Sequence, residues 1–170
     1  DVQVVSVKGT LTDHYNPTNQ TVNLSEGVYS SNSVAAAAVA AHECGHAVQH
    51  AYAYKWLSMR SALVPVVSFA SQWVQWVLLL GIILIETTPI LLEVGVGLFA
   101  LTTLFSFITL PVEINASTRA VEWLTGTGLV QGEKRTMAID ALKSAAYTYV
   151  VAALSSLATL IYYVMILMGR

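Results

Sequence analysis

Ser144 to Met168 reads SAAYTYVVAALSSLATLIYYVMILM, with no charged side chain from end to end. Two earlier stretches share that character: Ser61 to Ile85 (SALVPVVSFASQWVQWVLLLGIILI) and Val94 to Val112 (VGVGLFALTTLFSFITLPV). A helix rises about 1.5 Å per residue, so about 20 residues cross the ~30 Å hydrocarbon core of a bilayer. Each stretch is near or above that length. As soluble helices, three of them in so short a chain would leave most of their surface uncovered. The sequence therefore predicts an integral membrane protein, mainly α, with about three transmembrane helices. Pro65 sets the expected start of the first.

The composition agrees. The 170 residues are 55% apolar and 11% charged, with a mean hydropathy of +0.62. A soluble domain carries roughly 25% charged residues. Disorder is excluded on the same ground, and a net charge of -2 gives no electrostatic case for nucleic acid. Cys44 is the single cysteine, so no internal disulfide framework exists. The chain opens at Asp1 inside what reads as a strand, so the natural protein is expected to extend upstream.

Charge sets the expected orientation. Seven of the eight basic residues, Lys8, Lys55, Arg60, Arg119, Lys134, Arg135 and Lys143, precede the first apolar stretch or lie between the second and third. Between the first and second lies Glu86-Thr87-Thr88-Pro89, with Glu93 beyond, and no basic residue. The positive-inside rule makes the basic side cytoplasmic.

Outside the apolar stretches the reading is local. Val2–Val7, Thr10–Tyr15 and Thr21–Leu24 read as strands, with a turn at Asn16-Pro17-Thr18-Asn19. They predict a small β-hairpin or sheet that must lie on something, because a hairpin alone is marginal. Ser33 is an N-cap for a helix from Val34 to about Tyr54. A second helix is expected from Pro111 or Glu113 to Leu124, and a third from Glu133 running into the last apolar stretch. The expected organisation is residues 1–60 as hairpin plus metal-binding helix on the cytoplasmic side and 61–112 as two spans. Residues 113–143 then form a ligand helix and an interfacial helix, and 144–170 a third span.

The first of those helices contains His42-Glu43-Cys44-Gly45-His46, an H-E-x-x-H sequence. Residues four apart on a helix project from one face, so both imidazoles can bind one ion. Glu43, on the flank, reaches a water rather than the metal. Zinc suits two imidazoles and a carboxylate with a water in the fourth position, and lowers that water's pKa to about 7. Glu43 is then the general base, passing the proton to the leaving amine. Gly45 leaves space beside the ligands. By helical phase Cys44 faces away and reads as packing.

The third ligand lies elsewhere. The metzincin pattern is absent, because Gln49 and Tyr52 stand where Gly and His would be needed. A site-2 type protease would use an intramembrane Asp, and the apolar stretches hold none. The candidates are Glu86, Glu93, Glu113, Glu122 and Glu133. Two crossings return Glu113 to the side of His46, whereas Glu86 and Glu93 fall ~30 Å away. Glu113 is the choice and Glu122 the reserve.

Several motifs then occur in order: Gly9-Thr10-Leu11-Thr12-Asp13-His14-Tyr15, Val22-Asn23-Leu24-Ser25-Glu26, His42–His46 continuing Ala47-Val48-Gln49-His50, Arg60-Ser61-Ala62-Leu63-Val64-Pro65, and Leu110-Pro111-Val112-Glu113-Ile114-Asn115-Ala116-Ser117. Together they resemble the YugP-type neutral zinc metallopeptidases of bacterial membranes, over most of the chain and least within the spans. The resemblance implies a multi-pass, zinc-dependent peptidase of the bacterial plasma membrane with an HtpX-like, gluzincin-type site. It places the metal ligands on His42, His46 and Glu113 and the catalytic carboxylate on Glu43. Members usually carry a further membrane helix upstream. Related sites often have an Asp four residues after the Glu ligand, where this chain has Ser117; Asn115 or Ser117 takes over the orienting role.

His14, Tyr15 and His50 are candidates for substrate or oxyanion contacts, provided the hairpin borders the cleft and a peptide adds to its edge. A turn role for His14 and a surface role for His50 compete with that. Arg119 reads as a lipid-headgroup contact. The expected partners are the bilayer and a peptide or membrane-protein substrate, with no nucleic acid and the oligomeric state open. The competing function is an inactive membrane scaffold with a structural zinc site, which would close the fourth position with a protein ligand.

Overall fold

The computed structural model describes residues 1–169. Three short strands open the chain: β1 (Gln3–Val7), β2 (His14–Asn16) and β3 (Thr21–Ser25). They form one sheet in the order β1-β3-β2. β2 and β3 are the expected antiparallel hairpin, with His14 opposite Asn23 and Asn16 opposite Thr21. β1 lies parallel to β3 on its other side, Gln3 opposite Thr21 and Val7 opposite Ser25. β3 is the central strand and is buried at every position, and β1 and β2 are the two edge strands.

The strand expected over Thr10–Tyr15 is shorter. Gly9 and Leu11 have positive φ, 109° and 58°, which no strand accommodates. The Asp13 carboxylate then accepts from the Ser25 backbone N–H at 2.8 Å and from its hydroxyl, tying the loop to the end of β3. A single helical turn, α1 (Glu26–Tyr29), follows directly and was not foreseen.

Helix α2 (Val34–Ala51) starts at the expected cap, with Ser33 Oγ accepting from Ala36 N at 3.2 Å. It stops short of Tyr54 because Ala53 adopts φ 48°. Tyr54 N then donates back to Gln49 O at 2.9 Å, the closure that ends helices at a left-handed residue. Helix α3 (Lys55–Ile83) starts ten residues before Pro65, which lies inside it rather than at its start. Helix α4 (Pro89–Gly126) likewise runs through Pro111 instead of restarting there. An internal proline removes one backbone bond, a loss that membrane helices tolerate when neighbours re-satisfy the freed group. Helix α5 (Glu133–Met168) is continuous, as expected.

The chain clusters into two compact units. The first comprises Asp1–Ser58 and Pro111–Thr148. In it, Val22 and Leu24 of β3 pack on Ala47 of α2. Ala38 and Ala41 of α2 meet Ala120 and Leu124 of α4 and Ala138 and Leu142 of α5. The contact residues are small, and Gly45 makes the point sharpest: a Cβ there would lie 2.7 Å from the Ala116 carbonyl oxygen. Only glycine lets α2 lie this close to α4.

The second unit comprises Met59–Leu110 and the residues from Tyr149 onward. Its core is Leu78, Leu92 and Val96, with Gly81 and Gly95 allowing close backbone approach. Hydroxyls bond the helix's own carbonyls, as Thr103 to Phe99 O at 3.0 Å and Thr109 to Phe105 O at 2.9 Å. Large apolar side chains such as Phe69, Trp73, Trp76, Ile83, Tyr162 and Met165 are exposed. Helices α3, α4 and α5 are each long and apolar enough to cross a membrane. This is a membrane protein.

Candidate metal centre

The first unit brings His42, His46 and Glu113 together. One turn of α2 separates the two histidines, whose rings stand edge to face with centroids 4.8 Å apart. Both Nε2 atoms converge on Glu113 Oε2, at 3.2 Å from His42 and 3.6 Å from His46. The three potential ligand atoms all lie within 4.8 Å of one another. Donors at about 2.0–2.1 Å from a tetrahedral zinc ion would be about 3.3–3.4 Å apart, a spacing the two nitrogen–oxygen distances bracket. The donor set therefore fits zinc in its chemistry, and the two nitrogen–oxygen distances lie near the required spacing.

The far side of each imidazole is occupied. His42 Nδ1 lies 3.1 Å from Ser117 Oγ. His46 Nδ1 lies 3.0 Å from Gln49 Oε1. An amide oxygen only accepts, so His46 carries a hydrogen on Nδ1, leaving Nε2 for the Glu113 side. Gln49 is fully buried and donates through Nε2 to Val112 O at 2.8 Å and to Asn115 Oδ1 at 3.0 Å. Asn115 Oδ1 also accepts from Arg119 Nε at 2.9 Å. Ser117 thus touches a histidine directly, whereas Asn115 reaches one only through Gln49.

Glu43 is 8% exposed. Burial pushes its carboxyl above the usual range; the two imidazoles draw it back, Glu113 raises it again, and the backbone N–H of Tyr15 lowers it. Burial alone would lower the His46 imidazole, but the Glu113 hydrogen bond and charge, with Glu43 and Gln49, carry it upward. The centre is a set of mutually dependent charges around one point.

The remaining candidates sort clearly. Tyr15 approaches Glu43 with its backbone, while its hydroxyl lies 3.0 Å from His50 Nδ1. His50 is exposed and pairs with Tyr15. His14, the first residue of β2, is exposed, with Nδ1 2.7 Å from Thr12 O in the preceding loop. Glu122 stands nine residues beyond Glu113, about 13 Å along the helix axis, and is exposed. Cys44 is exposed rather than packed. Arg119, expected at lipid headgroups, holds Asn115. Gln49 is the residue that sequence reasoning missed: it counted only as a missing metzincin glycine. Its signal was a polar side chain three residues after His46, hence on the same helix face.

The fold and the site define a membrane protein that carries a His–His–carboxylate group able to hold a metal ion. Its family is identifiable. A family described as "Putative neutral zinc metallopeptidase" matches residues 1–168, and the chain belongs to it. The chain is also similar to the "Putative membrane protease YugP" of Bacillus subtilis (strain 168), 45% identical over 169 residues, covering 99% of this chain and 74% of that protein. No solved structure matches. The family's metal is zinc and its activity that of a peptidase.

Proposed function

We propose that the chain hydrolyses peptide bonds with an H-E-x-x-H, gluzincin-type centre in which His42, His46 and Glu113 hold zinc and Glu43 is the general base. The observation that carries this is the convergence of two Nε2 atoms on one Glu113 oxygen at 3.2 and 3.6 Å. Zinc held there supplies Lewis acidity, lowering the pKa of a water and polarising the scissile carbonyl. Glu43 takes the water's proton and delivers it to the leaving amine. Ser117 and Gln49 keep the imidazoles turned toward the metal.

The exposed edge of β2 supports an extended substrate. Because Tyr15 in β2 faces Glu43 through its backbone, a peptide pairing with that edge would pass the base. Tyr15 and His50, joined by their hydrogen bond, and His14 at the start of β2 are the proposed substrate contacts. The distribution of basic residues supports a plasma-membrane location with residues 1–60 and 113–143 on the cytoplasmic side. Peptides or segments of membrane proteins are the proposed substrates. A purely structural zinc site gains no support, because the converging group among the described residues supplies three donors rather than four.

The test compares peptide cleavage by the detergent-purified, zinc-loaded protein with and without chelator, alongside Glu43→Gln. The variant should retain zinc and lose at least about a hundredfold in rate, the lower range for a positioned acid–base group. Equal cleavage by both proteins would reject the mechanism.

A further inference from the structure

The amide of Gln49 meets His46 Nδ1 at one end, and the Val112 carbonyl and the Asn115 side chain at the other. Two groups of single polarity bound this chain of contacts. The Val112 carbonyl can only accept, and the Arg119 guanidinium, whose Nε lies 2.9 Å from Asn115 Oδ1, can only donate. Donor and acceptor then follow at every link. Arg119 holds the oxygen of Asn115, and not its NH2, between itself and Gln49. That oxygen and the Val112 carbonyl both require the NH2 of Gln49, so the oxygen of Gln49 is left for His46. A hydrogen therefore sits on Nδ1 of His46 and a lone pair on Nε2, the atom that faces Glu113. Turning over either amide would set donor against donor or oxygen against oxygen.

We infer that Arg119 is a positioning residue for the metal centre, acting through Asn115 and Gln49 to fix which ring nitrogen of His46 is open to the ion. The inference rests on the reading of His46 as a zinc ligand. Asn115 and Arg119 are half-buried, so without the guanidinium the Asn115 oxygen can turn to water, and Val112 alone holds Gln49. The role is one of hydrogen-bond polarity and not of charge. A guanidinium repels a dication, so a purely electrostatic account gives tighter zinc binding when Arg119 is neutralised. The polarity account gives weaker binding.

Two neutral substitutions separate these. Arg119→Gln carries an amide nitrogen as many bonds from the backbone as Nε and keeps a donor there; Arg119→Met puts a methyl in its place. Zinc affinity of the full chain in detergent is read by competition with a chromophoric chelator. Arg119→Met should bind about three- to tenfold more weakly, the worth of one lost hydrogen bond, and Arg119→Gln within about twofold of the unsubstituted chain. Asn115→Leu cuts the same link from the other side and should match Arg119→Met, which covers a failure of that variant to fold. In Gln49→Leu, where the path is already broken, adding Arg119→Met should cost nothing more. Magnetic resonance of zinc-loaded protein with isotope-labelled histidine gives a second readout: the His46 Nδ1 proton should exchange with water faster in Arg119→Met than in Arg119→Gln. Equal affinities of these two variants, tighter binding by both, or a full additional loss in the Gln49→Leu background would overturn the role. If His46→Ala and Glu113→Ala bind zinc as the unsubstituted chain does, the metal centre fails and the inference with it. If they lose zinc while Arg119→Met and Asn115→Leu do not, the inference alone fails.

Discussion

Gln49 Oε1 lies 3.0 Å from His46 Nδ1, and the same amide donates to the Val112 carbonyl at 2.8 Å. One buried side chain thus fixes the ring of a histidine on α2 against the backbone of α4, one residue before Glu113. Gln49→Leu should weaken zinc binding about 10- to 100-fold, the usual cost of losing such a partner. Gln49→Glu, which keeps an acceptor, should recover part of it. Competition with a chromophoric chelator reads both, and an unchanged affinity in Gln49→Leu would remove Gln49 from this role.

Glu113 and Glu122 can be separated by metal content. Glu113→Ala should lose zinc affinity by more than about a hundredfold, beyond the range seen for groups that only orient a ligand. Glu122→Ala should bind one equivalent as before. Elemental analysis after gel filtration decides between them, and the reverse pattern would exchange their roles.

Gly45→Ala should disturb the centre without touching a ligand. The added methyl meets the Ala116 carbonyl oxygen at 2.7 Å, and overpacking of this kind costs about 1–3 kcal/mol. Thermal unfolding in detergent should begin at lower temperature, and zinc affinity should drop with it. Adding Ala116→Gly should not restore either, because the obstacle is backbone. Full rescue would show the contact to be a side-chain one.

Zinc affinity should fall as the solution is acidified. The His46 imidazole is held above its ordinary pKa by Glu113 and Glu43 against the effect of burial. The metal-free protein therefore keeps a proton at a pH where a free histidine would have lost most of it, and zinc must displace it. Below the His46 pKa, affinity should decline by about tenfold per pH unit for that proton, and above it should level off. A calorimetric or competition titration across pH checks the slope; a flat profile would mean that no proton is exchanged.

The spans and the His pair were legible because each depends on a local rule: apolar length for the helices, a spacing of four for the imidazoles. Glu113 was legible less directly, through the count of crossings between it and His46. The passage of α3 and α4 through Pro65 and Pro111 was not, since proline ordinarily marks a helix boundary and its neighbours decide whether it does. The third strand, β1, pairs parallel to β3 across a long connection, and nothing local in Val2–Val7 specifies that partner. Gln49 was hidden for a similar reason. Its oxygen matters because of where Val112 and Asn115 lie, and both are more than sixty residues away in sequence.

The carboxylate at position 43, the proposed base, is influenced by the main-chain amide of Tyr15 and not by that residue's side chain. Such a support is written into the polypeptide itself and survives almost any exchange of the residue that bears it. Proline alone deletes it. Position 15 can therefore drift in chemistry, altering what its ring does toward His50, while the steadying of the carboxylate is inherited unchanged.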